Sequence, residues 1–81
     1  MRKLEEIRAE IDEVDAQMAQ LFERRLGLSR EAAALKAEAG LPTVDAGREA
    51  QIIETNSRLV SSENRERYAE FQKHVLEISK K

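Results

Sequence analysis

An apolar repeat with alternating steps of three and four residues runs through almost half of the sequence and constrains the fold most strongly. It begins at Leu4 and ends at Leu35, and Arg25 is its one charged member. No proline lies between residues 2 and 39, where Gly27 is the only glycine. This spacing is typical of a coiled-coil seam and predicts one helix over residues 2 to 39, about 55 Å long. The seam consists of Leu4, Ile7, Ile11, Val14, Met18, Leu21, Arg25, Leu28, Ala32 and Leu35.

Two shorter helices are predicted after the long one. Gly40 can close the first helix in the left-handed conformation, Pro42 stops it from resuming, and Asp45 is well placed to cap a second helix over residues 46 to 60. The run Ser-Ser-Glu-Asn at residues 61 to 64 predicts a break and a cap before a third helix over residues 64 to 80. We therefore expect an all-α fold in a single domain over residues 1 to 81. The main apolar residues of the second helix are Ile52, Ile53 and Leu59, and the third helix has an apolar stripe at helical spacing formed by Tyr68, Phe71, Val75 and Ile78.

The length of the chain points to a partner chain. A domain of 81 residues buries a small share of its surface, and this sequence has no cysteine and one histidine with which to reinforce a core. Two short helices cannot cover the whole seam of the long one. We predict an antiparallel or intertwined helical homodimer with twofold symmetry, and a trimer or larger coiled-coil assembly is the alternative.

Composition excludes several classes of function. Lys and Arg total 14 against 16 Asp and Glu, so there is no overall basic field of the kind that holds a protein on nucleic acid. No apolar run is long enough for a membrane span, and none follows the basic residues near the N-terminus as in a signal peptide. The absence of cysteine suits a reducing compartment, and we expect a cytoplasmic location.

Three basic residues on the long helix are candidates for binding an anion. Arg25 lies at a core-type position, where a buried guanidinium needs an anionic partner from the protein or from a ligand. Arg8 and Lys36 are four heptads apart, about 42 Å by helical rise, so one small ligand meets both only if an antiparallel second chain supplies one of them. Ordinary alternatives are an Arg25–Glu pair that fixes helix register, an Arg8–Asp12 pair, and an apolar stem of Lys36 that covers the seam.

A second group of candidates opens the second helix. Asp45, Arg48 and Glu49 form the pattern D-x-x-R-E, which also suits a helix cap and dipole partners. Ser79, near the end of the third helix, is unremarkable by itself, and His74 is expected to be a solvated surface residue. The sequence offers no nucleophile set, metal-ligand spacing or phosphate-binding loop. An enzyme built from these residues would rely mainly on positioning and charge.

Taken together, several short motifs resemble the all-helical, type II chorismate mutase family. They are I-R-x-x-I-D-x-x-D at residues 7 to 15, L-F-x-x-R at 21 to 25, Lys36, L-P-x-x-D-x-x-R-E at 41 to 49, and I-S at 78 and 79. No single motif is specific, but their order and spacing extend over about 70 residues. The resemblance implies an intertwined three-helix homodimer that converts chorismate to prephenate without a cofactor.

The resemblance also implies a role for each candidate residue. Arg8 matches an arginine that the partner chain donates, and Arg25 matches one that grips a substrate carboxylate. Lys36 matches a lysine that reaches a carboxylate and the ether oxygen. In the remaining set, Asp45 and Glu49 match acidic residues near the ring hydroxyl, Arg48 matches a pocket arginine, and Ser79 matches a hydroxyl on the third helix. The family commonly has a glutamine four residues after that serine, and this sequence ends at Lys81, before that position.

Two other functions remain open at this point. An isochorismate-pyruvate lyase shares the fold and the cationic residues but breaks the ether without forming the new bond. Glu49 favours the mutase, since such lyases generally lack the acidic pair in that region. The other alternative is a non-catalytic helical dimer, either an effector-binding regulatory domain or a coiled-coil interaction module.

Overall fold

The structure, a computed structural model, describes all 81 residues and contains three α-helices and one short 3-10 helix. Helix α1 is Leu4–Ala39, α2 is Ala46–Ser57 and α3 is Arg65–Ser79, with the 3-10 helix at Ser62–Asn64. The expected all-α fold, one long helix followed by two shorter ones, is confirmed. Helix α1 begins two residues later than predicted, and α2 ends three residues earlier.

The end of α1 is built by glycine in the left-handed conformation, as the sequence predicts. Gly40 has φ +70°, its N–H donates to the carbonyl of Ala37, and the N–H of Leu41 donates to the carbonyl of Lys36 at 2.8 Å. These two hydrogen bonds satisfy carbonyls that have no partner within the helix. The chain therefore leaves α1 in a defined direction immediately after Ala39.

The connection between α2 and α3 differs in detail from the prediction. Leu59, expected inside the second helix, follows its end and is exposed. The break at residues 61 to 64 is present, but the side chain of Asn64 makes no capping hydrogen bond to α3. Its amide donates instead to the hydroxyl of Ser61 at 3.0 Å, while its own N–H donates to the Ser61 carbonyl. The polar cluster thus stabilises a local turn rather than a capped helix start.

The chain divides into two compact units, Met1–Ala32 and Ala33–Lys81. In the first unit the helix buries no residue. The large apolar side chains of its seam are 39% to 61% exposed. Partial shielding is confined to Arg25, Leu26 and Ser29. The seam is formed as predicted, but nothing within this unit covers it.

In the second unit α2 packs on α3 around a small core. Leu76 is the buried apolar residue and Gln72 the buried polar one. The side-chain oxygen of Gln72 accepts a hydrogen bond of 2.7 Å from the Tyr68 hydroxyl and one of 3.3 Å from the Asn56 amide. Because a buried amide without partners is costly, the bond from Asn56 on α2 favours the rotation of α3 that brings Gln72 toward α2, while the bond from Tyr68 lies within α3.

The buried face of α3 is rotated relative to the predicted apolar stripe. Tyr68 and Val75 are partly buried as expected, but Phe71 and Ile78 are exposed. The stripe prediction treats every apolar residue as facing one core, whereas the polar bonds of Gln72 turn a different face toward α2.

No helix of the chain combines the length and the apolar character that crossing a membrane requires.

Candidate functional site

The first turn of α2 is held by Asp45. This residue has extended backbone angles, and its Oδ1 accepts a 2.9 Å hydrogen bond from the N–H of Arg48. The carbonyl of Asp45 accepts from the N–H of Glu49 at 3.0 Å. The predicted cap is therefore confirmed, and it fixes the directions in which Arg48 and Glu49 leave the helix. One oxygen of Asp45 serves the cap, so the other remains to accept a hydrogen bond elsewhere.

Lys36 lies in the last turn of α1 and reaches toward the loop before α2. Its Nζ donates to the carbonyl of Thr43 at 3.3 Å, and the side chain is partly buried. Thr43 is two residues before Asp45. The hydrogen bond thus ties the lysine ammonium to the chain segment that leads into the acidic cluster.

Arg48 and Glu49, although adjacent, have different surroundings. The Arg48 guanidinium donates to Gln51 Oε1 at 3.0 Å on an exposed part of α2. Glu49 is partly buried, and its two oxygens lie 2.9 and 3.1 Å from the Nζ of Lys80. The carboxylate of Glu49 is therefore engaged by a cation from the end of α3, 31 residues along the chain.

Ser79 is the residue next to that lysine. Its Oγ donates to the carbonyl of Val75 at 2.7 Å, and the side chain is partly buried. This is the common hydrogen bond of a helical serine to the carbonyl four residues earlier. Ser79 directly precedes Lys80, whose ammonium contacts Glu49.

Five of the candidate residues lie in the second unit, and the other two lie in the first. Lys36, Glu49 and Ser79 are partly buried, whereas Asp45 and Arg48 are exposed. In the first unit, Arg25 is partly buried and Arg8 is exposed. His74 is mostly exposed, with Nδ1 at 3.5 Å from a Glu77 oxygen, as expected of a surface residue.

Lys80 was not identified as a candidate residue from the sequence. In the sequence it suggests only a solvated charge. Its contact with Glu49 depends on how α2 packs against α3. The spacing of 31 residues carries no helical periodicity that would have revealed the pair.

The arrangement provides local cations and acceptors without a nucleophile paired to a base. Comparison with protein families gives one match: the model described as chorismate mutase type II covers residues 7–81. The chain belongs to the chorismate mutase type II family. The match includes every candidate residue from Arg8 to Ser79. No curated protein and no solved structure matches the chain.

Proposed function

We propose that this protein is an active chorismate mutase that works as a homodimer and converts chorismate to prephenate. The observation that carries the proposal is the family match over residues 7–81, nearly the whole chain. The proposal also fits a chain whose candidate residues supply positive charge and hydrogen-bond acceptors. Such groups suit a reaction that needs positioning and electrostatic stabilisation rather than proton transfer.

The exposed seam of α1 supports the homodimer. Large apolar side chains along this helix, from Leu4 to Leu35, are 39% to 66% exposed in the isolated chain. Covering a half-exposed large apolar side chain contributes about 1 kcal/mol, so a seam of eight such residues favours association strongly. A second copy presents the same heptad seam and can cover it in a closed twofold arrangement.

Within the dimer we assign the substrate's two carboxylates to arginine and lysine. Arg25 and Lys36 come from one chain, and Arg8 comes from the partner. Four heptads of sequence separate Arg8 from Lys36, so an antiparallel second chain is the natural source of the arginine. The partial burial of Arg25 and Lys36 supports this assignment, since a charge removed from water gains more from an anionic ligand.

The remaining residues are assigned to the ring and the edge of the pocket. Asp45 and Glu49 accept hydrogen bonds near the ring hydroxyl, while Arg48 and Ser79 complete the lining. The capped first turn of α2 supports these roles, because it holds the acidic pair on a rigid element.

The proposed reaction is an intramolecular rearrangement. The carbon–oxygen bond of the ether breaks while a carbon–carbon bond forms between the enolpyruvyl arm and the ring. All atoms of chorismate remain in prephenate, so no co-reactant is needed. The cations hold the arm over the ring, and Lys36 also donates to the ether oxygen as negative charge grows there.

The experiment that tests this proposal follows the loss of chorismate absorbance in the ultraviolet with purified protein and identifies the product. Isochorismate is supplied in a parallel reaction. The proposal predicts prephenate from chorismate and no pyruvate from isochorismate. Pyruvate from isochorismate alone would identify a lyase instead, and a folded dimer that turns over neither substrate would be a binding or regulatory domain.

A further inference from the structure

The ion pair between Glu49 and Lys80 joins the first turn of α2 to the end of α3. Lys80 Nζ lies 2.9 Å from Oε2 of Glu49 and 3.1 Å from Oε1, so one ammonium faces both carboxylate oxygens. The pair between Glu54 and Arg58, by contrast, is local, because its members are four residues apart on one helix. The Glu49–Lys80 pair therefore determines where a side chain of α2 points relative to α3.

The Glu49–Lys80 pair is also better shielded from water than the Glu54–Arg58 pair. The side chains of Glu49 and Lys80 are 27% and 41% exposed, against 70% and 71% for Glu54 and Arg58. Shielding reduces solvent screening, so the pair holds its geometry more firmly than a surface pair does. The backbone of each residue is also held by hydrogen bonds. The N–H of Lys80 donates to carbonyls of α3, and the N–H of Glu49 donates to the carbonyl of Asp45.

Below the pair lies a groove with an apolar floor between α2 and α3. The pair lines this groove together with the apolar side chains of Ala46, Ala50, Ile53 and Leu76 and the charged side chains of Lys73 and Glu77. Of the two lysines at the groove, Lys80 is the one whose ammonium contacts the Glu49 carboxylate. A carboxylate has about four lone-pair sites, and one donor leaves most of them available to a substrate hydroxyl.

We propose that Lys80 is a positioning residue for the reaction, which holds the Glu49 carboxylate ready to accept a hydrogen bond from the ring hydroxyl of the substrate. This inference rests on the proposed function, in which Glu49 contacts that hydroxyl. A free glutamate side chain samples several rotamers and must be ordered when substrate binds. The ion pair orders it beforehand, and Lys80 acts only through Glu49.

The first test compares two replacements of the lysine. Lys80→Met keeps an apolar stem over the groove but removes the charge, and it should lower kcat/KM by about tenfold. Lys80→Arg restores a cation and should recover most of the loss. Lys81→Met removes the same charge from the next residue and should leave kcat/KM within about twofold of the wild type. A loss with Lys80→Arg as large as with Lys80→Met would overturn the role of the charge.

The deciding measurement repeats Lys80→Met in a Glu49→Gln background. A residue that acts through Glu49 should cost nothing further there, which a purely structural role or a direct contact of Lys80 with substrate would not produce. Urea unfolding of the same variants at equal protein concentration verifies that each is folded. If Lys80→Met is unfolded, Lys80→Gln takes its place in the cycle.

The outcomes separate the two proposals. An active wild type whose tenfold loss is the same in both backgrounds overturns the role of Lys80 and leaves the mutase proposal intact. A folded wild type that leaves chorismate unchanged contradicts the mutase proposal itself, and the role of Lys80 in that reaction falls with it.

Discussion

In the unit Met1–Ala32 every large apolar side chain of the seam is at least 39% exposed, whereas in the unit Ala33–Lys81 helices α2 and α3 bury Leu76 and Gln72. The first unit has the stronger sequence pattern and the weaker shielding. Its helix is specified locally by heptad spacing and helix-forming residues, but a helix this exposed gains little from burial within its own chain. The regular and uncovered apolar pattern of α1 therefore supports the proposed contact with a second chain.

The second unit obtains its order from specific contacts within the chain. A cap at Asp45, a buried amide at Gln72 and an ion pair at Lys80 connect its elements. Each of these is individually modest, yet together they set the orientation of α2 and α3. The candidate residues are distributed over both units, since Arg8 and Arg25 lie in the first and Asp45 and Glu49 lie in the second.

The largest effect is expected from a charge in the seam. Met18→Asp would bury a carboxylate at the proposed dimer interface twice, once per chain, at a cost on the order of 5 kcal/mol per dimer. We expect loss of the dimer in analytical ultracentrifugation, together with loss of helical circular dichroism. The control is Gln17→Asp, which adds the same side chain one position away, outside the seam. A Met18→Asp variant that remains a stable dimer would contradict the seam as the interface.

The next largest effect concerns catalysis. Arg25→Ala removes a partly buried guanidinium, which we propose binds a substrate carboxylate, and should lower kcat/KM roughly 100- to 1,000-fold, about 3 to 4 kcal/mol in transition-state terms. Arg24→Ala removes the same charge from an exposed neighbouring residue and should leave steady-state kinetics within about threefold of the wild type. Equal kinetics for the two variants would show that Arg25 has no role in the site.

A smaller effect is expected in the core of the second unit. Tyr68→Phe removes the 2.7 Å hydrogen bond to Gln72 and leaves that buried oxygen with the longer bond from Asn56. The free energy of unfolding should fall by about 1 kcal/mol in urea titrations. Asn64→Ala removes an exposed hydrogen bond and should change stability less. The opposite order would mean that the hydrogen bond between Tyr68 and Gln72 does not stabilise the second unit.

The sequence predicts those parts of the fold that depend on neighbouring residues. The length of α1, the left-handed Gly40 and the cap at Asp45 follow from local geometry, and each is confirmed. Local patterns do not predict that Gln72 would be buried while Phe71 is exposed, because that outcome depends on how α3 turns against α2.

The site divides in the same way. The order of short motifs along the chain predicts the family, and the family match over residues 7–81 confirms it, while the role of each residue stays a prediction. The pair between Glu49 and Lys80 joins residues 31 positions apart on different helices, and no sequence pattern encodes such a distance. The pair becomes apparent only from the packing of α2 against α3 in the structure.

The most direct test of the central claim, that a second copy completes each site, mixes two variants that are inactive alone. Arg8→Ala and Lys36→Ala chains are unfolded together, refolded at equal amounts and assayed with chorismate. If Arg8 acts across the interface, each heterodimer has one intact pocket, and random pairing restores about one quarter of the wild-type activity. If mass spectrometry detects the heterodimer but activity does not return, Arg8 does not serve the partner's pocket and the shared site is wrong.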